Sequence, residues 1–198
     1  MALTATCENV KDHGATMNDQ LWWYLARSGG VAAWAMLAFS MLWGLALSTK
    51  AFGSRPRPSW MLDLHRFVGG AAVVFTGIHV LSLVLDSYVE FGIREILVPF
   101  ASSYRASAVA WGVIAMYVLL AVEITSLLRQ RLSKRVWRSL HYLSFPLFIL
   151  ATAHGVTAGT DKDTFLLRTA FIVAAAAIGG LTTLRVIDAD TQGAPSVS

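Results

Sequence analysis

Long apolar runs, separated by short stretches that carry the charges, set the pattern of this chain. The first runs from Val31 to Thr49, between Arg27 and Lys50. The second runs from Phe67 to Leu85 and stops at Asp86, with its helix expected to start near Met61. The third covers Ala106 to Val122, between Arg105 and Glu123, and is expected to continue to Leu128. Ser139–Thr160, between Arg138 and Asp161, is the fourth, and Thr169–Leu184, between Arg168 and Arg185, the fifth. A helix crossing a bilayer needs about 20 apolar residues, and each run approaches that length. Backbone polar groups in lipid must be satisfied within their own segment, so the runs predict helices and not strands. Residues 87–104 are too charged to cross. There Ile93, Ile96, Leu97 and Phe100 recur at helical spacing, which predicts a short amphipathic helix on the outer surface. The expected fold is all-α: an integral membrane bundle of about five transmembrane helices plus that surface helix. Its expected layout is a polar N-terminal segment over 1–21, a membrane domain over 22–185 and a short tail over 186–198.

Composition sharpens this. Of 198 residues 56% are hydrophobic and 14% charged, against about 25% charged in a soluble domain. Mean hydropathy is +0.57. A soluble globular protein and a disordered chain are both excluded. Five crossings use most of the length, so no separate soluble domain is expected. The first 20 residues contain Glu8, Lys11, Asp12, His13 and Asp19 and lack an apolar core, so no cleavable signal peptide is expected. Cys7 is the single cysteine, which rules out an intramolecular disulfide and a cysteine-ligated cluster.

The net charge of +4 divides unevenly between the two sides of such a bundle. The linkers Lys50–Trp60 and Arg129–Arg138, with Arg66 and Arg185, put ten basic residues on one side, where four acidic residues also fall. The other has six basic and eight acidic, so +6 faces −2. The basic side is expected to be cytoplasmic, with the N-terminus outside and the C-terminus inside. Trp22, Trp23, Tyr24, Tyr88 and Tyr104 fall at outer span ends, and Trp60 and Trp137 at inner ends, where amphipathic rings settle at the headgroups. The basic patch is read as orientation and contact with anionic membrane lipids, not as nucleic-acid binding.

Four histidines carry the chemistry. His65 and His79 lie on the second span, His141 and His154 on the fourth. Ionisable groups inside a membrane are costly and mark function. The separations are 14 and 13 residues, or roughly 21 and 19.5 Å along a helix axis. Spans two and four run parallel, so His65 and His141 share one depth and His79 and His154 another. Imidazoles from facing helices can hold a haem iron from both sides, which favours electron transfer. Two such levels make an electron path across the bilayer. On an ideal helix His65 and His79 share a face, but His141 and His154 fall about 140° out of register. Pro146 lies between them, and a distortion there is expected.

Gly69, Ala151 and Gly155 leave room for a flat ligand or serve ordinary helix packing. Phe75 and Phe145 line the space between the levels or belong to the core. Arg66 is placed to meet a haem propionate, or snorkels to the surface. Arg27 and Arg105 are weaker equivalents outside. Glu123 is expected to form a structural ion pair with Arg129. His13, in the polar N-terminal segment expected to be mobile, is given no ligand role.

The stretches "WYLARSGG" (Trp23–Gly30), "LDLHRF" (Leu62–Phe67), "AVEITSLLRQRL" (Ala121–Leu132) and "VWRSLHYLSFPLF" (Val136–Phe148), with the H-x13-H and H-x12-H pairs, resemble the ferric reductase-like transmembrane domain family. That family includes ferric reductases, NADPH oxidases and the haem-binding membrane subunit of bacterial methionine-sulfoxide reductase systems. The resemblance covers about residues 22–185. It implies two non-covalent haem b groups, held by His65 with His141 and by His79 with His154. It implies electrons moving from the cytoplasmic to the outer face of a bacterial plasma membrane. Ferric reductases and oxidases of the family add a C-terminal flavin and NADPH domain. Only 14 residues follow Leu184 here and no Gly-rich phosphate-binding fingerprint appears. Flavin is therefore expected only on a separate partner. The expected donor is a flavoprotein or quinol, and the expected acceptor extracytoplasmic. Two other functions stay open: a quinone-linked cytochrome b subunit of a larger complex, and a haem-free adaptor or transport protein whose histidines relay protons.

Overall fold

The computed structural model describes residues 2–49, 59–86, 92–160 and 163–193, with side chains described between residues 20 and 187. The basic residues Lys50, Arg55 and Arg57, the aromatic Tyr88 and the side chains of Cys7 and His13 lie outside the described set. The elements are α1 (Ala2–Ser48), α2 (Ser59–Leu85), α3 (Ile93–Leu97), α4 (Ala106–Leu127), α5 (Lys134–His141), α6 (Ser144–Ala158) and α7 (Phe165–Gly193), with a 3₁₀ turn at Arg129–Arg131. No strand occurs among the described residues, and the chain is an all-α integral membrane bundle.

Among the described residues four helices are long and apolar enough to cross a membrane: Gln20–Ser48, Ser59–Leu85, Ala106–Leu127 and Phe165–Ile187. The first begins well before Val31, where the charge pattern put it. Arg27 does not end it, because its guanidinium lies 4.0 Å from the centre of the Trp23 ring, a cation–π contact that keeps the charge near the headgroup level. The polar segment before residue 20 is helical too and extends α1 to Ala2, where a mobile stretch was expected. It contains no proline and several good helix formers. The surface helix is shorter than expected. α3 stops at Leu97, before Pro99, and Phe100 takes a left-handed φ of 65°.

The fourth apolar run, expected as a fifth spanning helix, is instead divided between α5 and α6, and neither is long enough to count among those four. α5 starts on an N-cap, Ser133, whose side chain accepts from the Val136 N–H. It ends at His141, two residues turn, and α6 begins at Ser144. Pro146 explains the break. It has no N–H to offer the Tyr142 carbonyl, and its ring would clash there in a regular helix. That carbonyl accepts instead from Phe145 N at 3.2 Å, three residues on.

α1 packs along α2, and α4 along α5 and α6, while α1 also touches α6 and α7 and α2 touches α4. Gly29 allows the α1–α2 approach, since a Cβ there would lie 3.2 Å from His79 N. Trp34 Nε1 donates to Thr152 Oγ1 at 3.0 Å, tying α1 to α6, and Trp43 Nε1 donates to the Met61 carbonyl at 2.8 Å, tying α1 to α2. Leu37, Met41, Leu45, Leu119, Leu147, Phe148 and Ile178 form the core. Large apolar side chains such as Phe67, Leu127 and Phe165 stay exposed, which is the expected surface of a bundle solvated by lipid.

Candidate functional site

α2 does not pack closely along α5 and α6, and the four histidines meet across the space between them. The His79 and His154 ring centres are 6.2 Å apart at 72°. Those of His65 and His141 are 6.1 Å apart at 76°. The turn at Tyr142–Leu143 supplies the rotation that an unbroken fourth helix would lack, so both of its histidines face α2.

Each pair opens on its own cavity. The one at His79 and His154, about 260 Å³, is almost wholly apolar. The one at His65 and His141, about 960 Å³, also takes in Arg66, Arg129, Lys134, Arg138 and Arg185. Leu37, Leu119 and Leu147 line both and form the apolar septum between them.

The outward ring nitrogens are held from behind. His79 Nδ1 lies 2.6 Å from the Ala26 carbonyl, and His154 Nδ1 lies 2.8 Å from the Ala108 carbonyl. A carbonyl only accepts, so both rings carry their proton on Nδ1 and leave Nε2 as a lone pair. His65 Nδ1 is 3.3 Å from Ser40 Oγ. His141 differs. Its Nδ1 is buried and has no hydrogen-bond partner among the described residues, as is true of Trp137 Nε1, and the two rings stack at 5.1 Å and 20°.

The donor set discriminates between metals. Among the described residues no three His, Cys, Asp or Glu side chains converge to hold a metal ion. A bare zinc takes three or four protein ligands. Two opposed imidazoles suit a metal that brings its other donors in a flat macrocycle. The spacing agrees: a metal–imidazole bond of about 2 Å on each side, with about 1.1 Å from nitrogen to ring centre, puts the centres roughly 6 Å apart. The residues present fit haem.

Other expected site residues are placed less directly. Arg66 lines the larger cavity, with its guanidinium 3.3 Å from Asp63 Oδ1. Gly69 lines it too, but a Cβ there would meet Glu123 Oε2 at 3.0 Å, so Gly69 gives room to a carboxylate on α4. Glu123 does not pair with Arg129. Among the described residues Glu123 forms no ion pair, and Arg129 lies 4.7 Å from the Trp137 ring centre. Phe145 and Ala151 line the larger and smaller cavities respectively. Arg105 donates to the Thr157 carbonyl at 2.8 Å, closing α4 onto α6. Gly30, Gly44 and Gly112, whose positions face histidine rings, went unrecognised in the sequence. One signal was available: Gly30 and Gly44 are 14 residues apart, as are His65 and His79.

The family model described as ferric reductase like transmembrane component matches residues 29–152. No curated protein and no solved structure matches the chain.

Proposed function

Because the chain belongs to the ferric reductase-like transmembrane family, we propose that it carries single electrons across a membrane through two non-covalent haem b groups. His79 and His154 would hold one, and His65 and His141 the other. The observation that carries this is the pair of facing imidazoles at two depths, 6.2 and 6.1 Å between ring centres. A bis-histidine haem supplies one-electron exchange without an open iron position. The protein's part is to aim four Nε2 lone pairs inward, to fix the tautomers of His79 and His154 from behind, and to keep an apolar septum between the levels. Arg66 is assigned to a propionate at the inner level, and Gly69 to giving the Glu123 carboxylate its place at the edge of that cavity.

The charge asymmetry of +6 against −2 supports an N-terminus outside and a C-terminus inside a bacterial plasma membrane. Electrons would then enter at His65 and His141 from a flavoprotein or quinol. They would leave at His79 and His154 for an extracytoplasmic acceptor: a ferric chelate, a flavoprotein or oxygen. The larger inner cavity, about 960 Å³, favours a second version in which a quinol is the donor and the chain is the cytochrome b subunit of a larger complex.

Substitution of the ligands separates these possibilities from a haem-free proton relay. His79→Ala or His154→Ala should each leave one haem per chain, with the inner-level spectrum intact. Retention of both haems by either variant would show the pairing to be wrong. A wild-type chain with no haem would favour the relay.

A further inference from the structure

Three of the four histidines share one small arrangement, built each time from a neighbouring helix. On α1 the Ala26 carbonyl accepts from His79 Nδ1. Four residues on, a Cβ at Gly30 would stand 3.0 Å from that nitrogen and 3.1 Å from Cε1. Further along α1, Ser40 Oγ meets His65 Nδ1. Four residues on again, a Cβ at Gly44 would stand 3.1 Å from His65 Cε1. On α4 the Ala108 carbonyl accepts from His154 Nδ1. A Cβ at Gly112, four residues on, would stand 2.7 Å from both Nδ1 and Cε1. Four residues are about one helical turn, so acceptor and glycine lie on the same stripe of the helix.

We propose that Gly30, Gly44 and Gly112 are positioning residues for haem ligation, each acting through the histidine it faces. The inference rests on the two-haem function above. A missing Cβ lets the ring lie against the neighbouring helix. Only there does Nδ1 reach its acceptor one turn back while Nε2 stays turned into the cavity. A methyl group at 2.7–3.1 Å would push the ring inward, stretching the Nδ1 bond on one side and tilting Nε2 on the other. Ligand orientation and basicity both depend on that outer bond.

Ordinary small-residue packing does not account for the pattern. Gly70 and Gly77, on the same helix as His65 and His79, face nothing within 4 Å. The fourth histidine also fits. Fourteen residues beyond Gly112 stands Ser126, not glycine, lining the same cavity as His141. His141 is the ring with no Nδ1 partner among the described residues, and the Trp137 stack holds it instead.

The test uses the full chain, purified in detergent, as wild type and as Gly30→Ala, Gly44→Ala, Gly112→Ala, Gly70→Ala and Gly77→Ala. Haem per chain and the two midpoint potentials are measured. Gly112→Ala should lose the outer-level haem, halving haem per chain. Gly30→Ala, with the looser contact, should keep both haems and shift the outer-level potential alone. Gly44→Ala should shift the inner level alone, and Gly70→Ala and Gly77→Ala should match wild type. If Gly112→Ala does not fold, the level-specific shifts of Gly30→Ala and Gly44→Ala decide. Unchanged potentials in those two, or equal disturbance of both levels, overturns the positioning role. A wild-type chain without haem overturns the two-haem function on which it rests.

Discussion

An imidazole has two nitrogens, and what holds one decides the use of the other. In the His79–His154 pair both rings are anchored by backbone carbonyls, which no side-chain substitution removes. In the His65–His141 pair, assigned above to the inner level, the anchors are a serine hydroxyl and an indole stack, and both can be changed. Ser40→Ala should leave haem content unchanged and move only the inner-level potential, as redox titration would report. Trp137→Ala should weaken His141 and lower inner-level occupancy, while Trp137→Phe keeps the stack and should retain it, as haem quantification would report. The histidines were legible in the sequence, since few residue types are so out of place in an apolar helix. The glycines opposite them were not, because a glycine's role lies in what approaches it, which is a property of a different helix. Glu123 misled for the same reason. Its proximity in sequence to Arg129 suggested a pair, yet it faces Gly69 of α2.

Helices are where local chemistry and the bundle meet. The break at Tyr142–Leu143 follows from Pro146 and brings His141 and His154 to one face. Pro146→Ala restores an N–H for the Tyr142 carbonyl and removes a residue that disfavours helix interiors by about 3 kcal/mol. The expected result is a straighter fourth crossing, His141 turned away from His65, and loss of the inner-level haem; inner-level haem quantification checks it. Trp34 joins α1 to α6 through Thr152. Trp34→Phe forfeits that bond, worth about 1 kcal/mol, and should lower the midpoint of thermal unfolding without changing haem per chain. The apolar runs located the crossings well, because lipid permits few backbone solutions. Their ends were less legible. Arg27 reads as a stop in sequence and is accommodated on Trp23 in space. Residues 87–104 promised a longer surface helix than the five residues of α3, since apolar spacing does not register the turn that Pro99 and Phe100 impose.

Across the whole molecule, two cavities of opposite character stand one above the other, apolar at His79 and His154, and basic at His65 and His141. The basic end coincides with the side that the charge count assigns to the cytoplasm. With Cys7 replaced by serine, single cysteines placed at Gln130 and at Tyr104 test this in intact cells with a membrane-impermeant thiol reagent. Labelling is expected at Tyr104 and not at Gln130, and the reverse pattern would invert the electron path. Fold class and the depth of each histidine followed from composition and helical rise. The pairing of His65 with His141 and of His79 with His154 was also expected, from matched depths on two parallel spans, whereas which helices flank those two is a property that no spacing along a single chain contains. The central claim is two bis-histidine haems per chain. A reduced-minus-oxidised visible spectrum of the purified protein, with haem counted per chain by pyridine haemochrome, tests it most directly. The account predicts a b-type difference spectrum and two haems per chain; no b-type signal and no stoichiometric haem would contradict it.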